Sequence, residues 1–150
     1  MPKESLLWKQ LRDNLPTVHW QRIETGLTGA GVPDVNGCSD GQEVWIELKS
    51  VRGRQLGLRP MQIAWLATRT KYGGDCYVLG KKDKTIKLYS VENLEQLKSL
   101  TWDSDPVVEL KSPFQWGLLL GLDRGRTLAP RRCQGSPRSH ARGDDDSCRA

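Results

Sequence analysis

Long apolar runs and closely spaced cysteines are what this 150-residue sequence lacks. The longest apolar stretch toward its end, Leu118-Leu-Leu-Gly-Leu122, is far too short to span a bilayer. The opening Met1-Pro-Lys-Glu-Ser-Leu-Leu-Trp8 holds no apolar segment of signal-peptide length. Its four cysteines, at 38, 76, 133 and 148, contain no pair spaced for a zinc knuckle and no disulfide framework. No internal repeat, zinc finger or recognition helix is apparent. These absences exclude a membrane protein and a stapled secreted scaffold, and point to a cytoplasmic chain with free thiols. What is there is the composition of about one ordinary domain, 37% hydrophobic with a net charge of +5, leaning toward polyanionic partners.

The charge is uneven. Residues 123–150 carry seven arginines and four aspartates, no lysine, and abundant Gly, Ser and Pro without helical or strand periodicity. They are expected to form a disordered tail behind a domain at 1–122. Within that domain residues 4–14 read as a helix ended by Pro16, and 18–25 as a strand. A glycine-rich loop follows at 26–32, then a short strand from Val35, a turn at 37–41 and a strand over 43–49. Pro60 suits the first position of a helix reaching Tyr72, stopped by Gly73-Gly74. Strands at 76–79 and 85–89, joined by a charged turn at 81–84, precede a last helix at 91–100. The order predicts an α/β domain with a mixed sheet flanked by helices.

Chemistry concentrates in Gly31-Val-Pro-Asp-Val35 and Val44-Trp-Ile-Glu-Leu-Lys49. Alternation on a strand puts Val44, Ile46 and Leu48 on one face and Trp45, Glu47 and Lys49 on the other. With Asp34 on the neighbouring strand, its carboxylate can meet that of Glu47. Two converging carboxylates and a backbone carbonyl make an all-oxygen site suited to Mg²⁺. Lys49 beside them can orient a water or steady a phosphate. Arg59, close to a helix N-terminus, can grip a phosphate as well.

Plainer readings stand beside these. Glu47 and Lys49 suit an exposed pair on a solvated strand, Asp34 a turn residue after Pro33, and Gln62 a solvent-facing helix position. Trp20, Trp45 and Trp65 suit packing, and His19 a surface strand residue. Asp144–Asp146 lie in the expected tail, where adjacent carboxylates are not preorganised.

Taken together, Arg22-Ile23-Glu24, Gly31-Val32-Pro33-Asp34, Glu47-Leu48-Lys49 and Gln62 resemble the signature of the PD-(D/E)XK nucleases. The similarity is strongest to the VRR-NUC and phage Holliday-junction-resolvase-like branches, and it spans roughly residues 18–90. It implies a restriction-endonuclease-like αβββαβ core. It also implies that Asp34, Glu47 and the Leu48 carbonyl ligate Mg²⁺, with Mn²⁺ as a substitute and no organic cofactor. Lys49 would position the water or the scissile phosphate, Glu24 would be the additional acid, and Gln62 would sit beside Lys49. The implied activity is metal-dependent hydrolysis of DNA phosphodiesters, structure-selective for branched or junction DNA, in recombination, repair or processing. The setting would be a bacterial or phage-infected cell, and the enzyme a homodimer. Arg52, Arg54, Arg59, Arg69 and Lys71, with Lys81, Lys82 and Lys84, are the candidate DNA contacts. The competing expectations are a nuclease fold that binds DNA without cutting, and a phage structural protein with an incidental acid pair.

Overall fold

The computed structural model describes residues 3–24 and 29–119. Helix α1 (Lys3–Asn14) is followed by strands β1 (His19–Arg22), β2 (Val35–Ser39) and β3 (Gln42–Ser50). Helix α2 (Pro60–Lys71), β4 (Cys76–Lys82), β5 (Thr85–Ser90), α3 (Leu94–Ser99) and β6 (Val108–Lys111) complete the order. The six strands lie side by side in chain order. Every neighbouring pair is antiparallel except β3 and β4, which run parallel across the α2 crossover. The αβββαβ core expected from the sequence is present, as a mixed sheet flanked by helices.

Each face of the sheet has its own core. Leu7, Trp8 and Leu11 form the inner stripe of α1 and pack on Val35, Val44, Ile46 and Leu48. On the other face Leu66 of α2 and Leu97 of α3 cover Val78 and Tyr89. Strand β3 is therefore enclosed on both sides, which buries the polar as well as the apolar half of its alternation. Over β1 and the start of β3 the α2 side stays open, with His19, Gln21 and Glu43 exposed.

Three expectations need correction. The predicted turn at 37–41 shrinks to Asp40 and Gly41, both at positive φ, in a two-residue hairpin. Gly37 belongs to β2 instead, opposite Trp20, whose ring lies 2.6 Å from where a Cβ would stand. The glycine makes room for an indole and does not turn the chain.

The last helix begins only at Leu94, because Asn93 caps it, its Oδ1 accepting from the Gln96 N–H at 2.8 Å. Val91 stays with the sheet, its N–H bonded to the Cys76 carbonyl. Strand β6 was not anticipated, and it alternates buried Val108 and Leu110 with exposed Glu109 and Lys111.

Beyond β6, Trp116 and Leu119 enter the α1-side core with Phe114 packed against it. This stretch thus closes the domain. The expected tail at 123–150, and part of the predicted loop at 26–32, fall outside the described residues. No helix among the described residues is long and apolar enough to cross a membrane.

Candidate active site

Asp34 stands where the loop before β2 turns into the sheet. Gly31 has a φ of +92°, and a Cβ there would lie 2.5 Å from the Met61 carbonyl oxygen in the first turn of α2. Only glycine lets the loop lean so closely on that helix. Pro33 is fully buried, and the Asp34 carbonyl accepts from the Ile23 N–H at 2.8 Å, so the backbone is anchored on both sides. The Asp34 side chain reaches across to β3, where its Oδ2 accepts from the Leu48 N–H at 2.9 Å. That bond sets one carboxylate against the peptide following Glu47.

Glu47 and Lys49 share the α2-side face of β3 and are 2% and 8% exposed. The solvated-strand reading of this pair is therefore overturned by the α2 crossover. Gln62, buried one turn into α2, ties the two together. Its Nε2 donates to Glu47 Oε2 at 2.7 Å, and its Oε1 accepts from Lys49 Nζ at 3.0 Å and from the Arg59 N–H at 2.9 Å. Lysine can only donate, so the amide orientation is dictated by its partners. Lys49 Nζ also lies 3.5 Å from Glu47 Oε2.

The remaining Glu47 oxygen, Oε1, is buried with no hydrogen-bond partner. Burial first, and the Asp34 charge second, push the Glu47 carboxyl up to about 8, against the pull of Lys49. An orphaned buried carboxylate oxygen beside a second carboxylate is a costly arrangement in the protein alone. It suits a hard divalent cation, which would supply the missing positive charge. Mg²⁺ is commonly held by one or two carboxylates, with water and substrate phosphate filling the other positions. Among the described residues no group of three His, Cys, Asp or Glu converges, so an ion at this acid pair would have to complete its shell with backbone oxygen, water and substrate phosphate.

A cleft of about 730 Å³ opens beside Asp34 and Gln62, lined also by Arg22, Arg59, Glu24 and Ser5, while the buried Glu47 and Lys49 do not line it. Asp34, Glu47, Lys49 and Gln62 are brought together. Glu24 is exposed and lines the same cleft as Asp34 and Gln62. Arg22, whose Nη2 donates to Ser5 Oγ at 3.3 Å, faces the cleft but had no assigned role in the sequence reading. Glu4 was also overlooked, and its Oε2 accepts from the Ser50 N–H at 3.4 Å, one residue past Lys49. The period-2 pattern carries a signal for Arg22, two residues before Glu24. Nothing local marks Glu4 or Ser5, since the fold alone folds α1 back onto the end of β3.

The candidate DNA contacts do not form one patch. Arg59 lies in the cleft, at the start of a helix whose first turn holds no acidic residue. Arg52 lines a separate groove with Lys3, Lys81 and Lys82. Arg54 pairs with Asp103 at 3.3 Å on the surface, and Lys71 is exposed in the last turn of α2. Arg69 lies over the Trp45 and Trp65 rings, 5.3 and 4.6 Å from their centroids.

No family model matches the chain, and no curated protein resembles it in sequence. Among solved structures it is similar to Hjc of Archaeoglobus fulgidus, a Holliday junction resolvase from an archaeal hyperthermophile. The TM-score is 0.50 over 73% of this chain and 88% of that one. The fold is a resolvase fold. At 15% identity the likeness is one of architecture, so the roles of the acids rest on their own geometry.

Proposed function

We propose that this chain is a Mg²⁺-dependent endonuclease that hydrolyses DNA phosphodiesters, selective for branched or junction DNA. We read it as a member of the PD-(D/E)XK group near its VRR-NUC and phage-resolvase branches. The observation that carries the reading is the partnerless buried Oε1 of Glu47, set beside Asp34 and braced by Gln62 and Lys49. The likeness to a protein named as a Holliday junction resolvase supports the substrate class.

Asp34 and Glu47 would hold the ion, with the Leu48 carbonyl as a further ligand. Bound there, Mg²⁺ supplies Lewis-acid stabilisation of charge on the phosphate and its leaving oxygen. Lys49 has three donor hydrogens, and Gln62 and Glu47 engage two. The third is available to a phosphate oxygen or to the attacking water. Arg59 and Arg22 would grip phosphates within the cleft, and Glu24 would hold water at its rim. Gln62 acts through the others: it fixes the lysine and one carboxylate at a set separation. A homodimer would bring two such sites to two strands.

Cleavage of labelled four-way junction, flap, single-stranded and linear duplex DNA tests the proposal, in Mg²⁺, Mn²⁺ and EDTA. Cutting that needs the metal and disappears in Glu47→Ala supports it, and the ranking of substrates reads the selectivity. Binding without cutting on every substrate would replace it with a catalytically silent DNA-binding module.

A further inference from the structure

The first turns of α1 stand between two grooves. Ser5 lines the cleft beside Asp34 and Gln62, whereas Lys3 and Leu6 line a second groove of about 430 Å³. Helical spacing explains the division: residues three apart share a face, while Ser5 is turned about 200° from Lys3. Ser5 and Leu6 are neighbours in the chain, so a single turn of helix separates the grooves, and Leu6 is 48% exposed on it. Strand β3 makes the same connection. Lys49 belongs to the acid cluster, and Ser50, the next residue, lines the second groove. The Glu4 carboxylate, accepting from the Ser50 N–H at 3.4 Å, ties helix to strand at that point.

The second groove is basic. Lys3, Arg52, Lys81 and Lys82 line it against one carboxylate, Asp83. Arg52 is exposed, yet the backbone on both sides of it is fixed. The Val51 N–H donates to the Lys81 carbonyl at 2.8 Å, and the Gly53 carbonyl accepts from Lys82 Nζ at 2.9 Å. Farther on, the Arg54 carbonyl accepts from the Trp102 N–H at 2.8 Å. A loop pinned this closely presents its arginine at little ordering cost on binding. Lys82 thus braces the loop, and Lys3 and Arg52 are the exposed cations of the groove.

We propose that this groove takes backbone phosphates of a second DNA arm while a first arm lies in the cleft beside Asp34. The inference rests on the nuclease reading and deepens it, by giving the means of telling branched DNA from linear. Two arms diverging from a branch straddle the first turns of α1, with Leu6 between them, whereas a straight duplex fills one groove at a time. Joining two contacts in one ligand makes the second an intramolecular event, so branched DNA gains affinity that linear DNA does not. Phosphate contacts carry no sequence information, which suits selection by shape.

The test is fluorescence anisotropy with the full-length protein in EDTA, on a four-way junction and a linear duplex of the same arm sequence, across a salt series. Lys3→Ala/Arg52→Ala removes both exposed cations of the groove. Lys98→Ala/Lys111→Ala removes the same charge from α3 and β6, outside both grooves. On the junction the groove variant is expected to bind about tenfold more weakly and to lose about two from the salt slope. On linear duplex it should match the control within about twofold. Lys3→Arg/Arg52→Lys, which keeps the charge, should recover the slope. Arg52→Gln alone, expected to lose about one from the slope, carries the same comparison should thermal melts show the double variant unfolded. Uncharged methylphosphonates in the arm next to the one cut in Mg²⁺ should abolish the difference between wild type and the groove variant. Equal losses on junction and duplex, or a folded groove variant matching the control, overturn this inference and leave the nuclease reading intact. Wild type that binds neither DNA overturns both.

Discussion

At the scale of single residues the site depends on one amide. Gln62 makes three hydrogen bonds, to Glu47, to Lys49 and to the Arg59 N–H, and so ties the β3 pair to the start of α2. Gln62→Ala should leave Lys49 and Glu47 buried without their common partner. Activity and metal affinity are expected to fall by about 10–100-fold, as for other groups that orient metal ligands. Steady-state cleavage and a metal titration measure both, and activity within twofold of wild type would refute the role.

Glu47 has its own signature. Its carboxyl is raised to about 8 in the fold, against 4.5 for an unperturbed group, so the folded protein holds a proton that the unfolded chain releases earlier. That contribution to stability is full below about 4.5 and is lost as the pH rises through 8. Metal-free wild type should therefore lose on the order of a few kcal/mol relative to Glu47→Gln between pH 5 and 9. Urea melts in EDTA check this, and parallel pH profiles for the two proteins would contradict it.

Elements explain why these residues meet. Strand β3 carries Glu47 and Lys49, the loop into β2 carries Asp34, and α2 carries Gln62, so any slip between loop and helix dismantles the cluster. The seam is Gly31 against Met61. Gly31→Ala combines a left-handed backbone with a carbonyl clash, and is expected to destabilise the protein by about 1–3 kcal/mol while lowering activity further. Thermal melts and cleavage rates on the same preparation separate the two effects.

Legibility varied by element for physical reasons. Glu47 and Lys49 were set on one face because strand alternation fixes direction locally, and Asp34 beside them from the neighbouring strand, whereas Gln62 entered only through the resemblance to the nuclease signature. The burial of Glu47 and Lys49 was not legible, since it follows from α2 crossing over β3. Gly37 was misread because a glycine making room for Trp20 looks the same in sequence as a turn glycine. Strand β6, four residues between Pro106 and Pro113, is too short for its alternation to stand out.

For the whole molecule, the two cores set what can be removed. Trp116 and Leu119 complete the α1-side core from beyond the last strand. A chain ending after Lys111 should lose several kcal/mol through that exposed face, whereas one ending after Leu122 keeps both residues and should fold and cut in Mg²⁺. Circular dichroism melts of the two truncations, with the cleavage assay on the longer, decide the matter. The αβββαβ order was readable because helices and strands alternate with clear punctuation. The convergence of residues as distant as Glu4 and Ser50 was not, because only the assembled sheet brings α1 to the end of β3.

The partnerless oxygen of Glu47 also bears on the traffic of protons. Near neutral pH the metal-free protein keeps the Glu47 carboxyl largely protonated, so a polyanion meets one neutral carboxyl in place of a second carboxylate. On the proposed reading, loading the acid pair with a divalent ion would expel the carboxyl proton into solvent. Mixing Mg²⁺ with the protein should acidify a weakly buffered solution, and the heat of binding should vary with the ionisation enthalpy of the buffer. On that reading the same exchange would make the affinity for Mg²⁺ climb between pH 6 and 8, before any DNA is present.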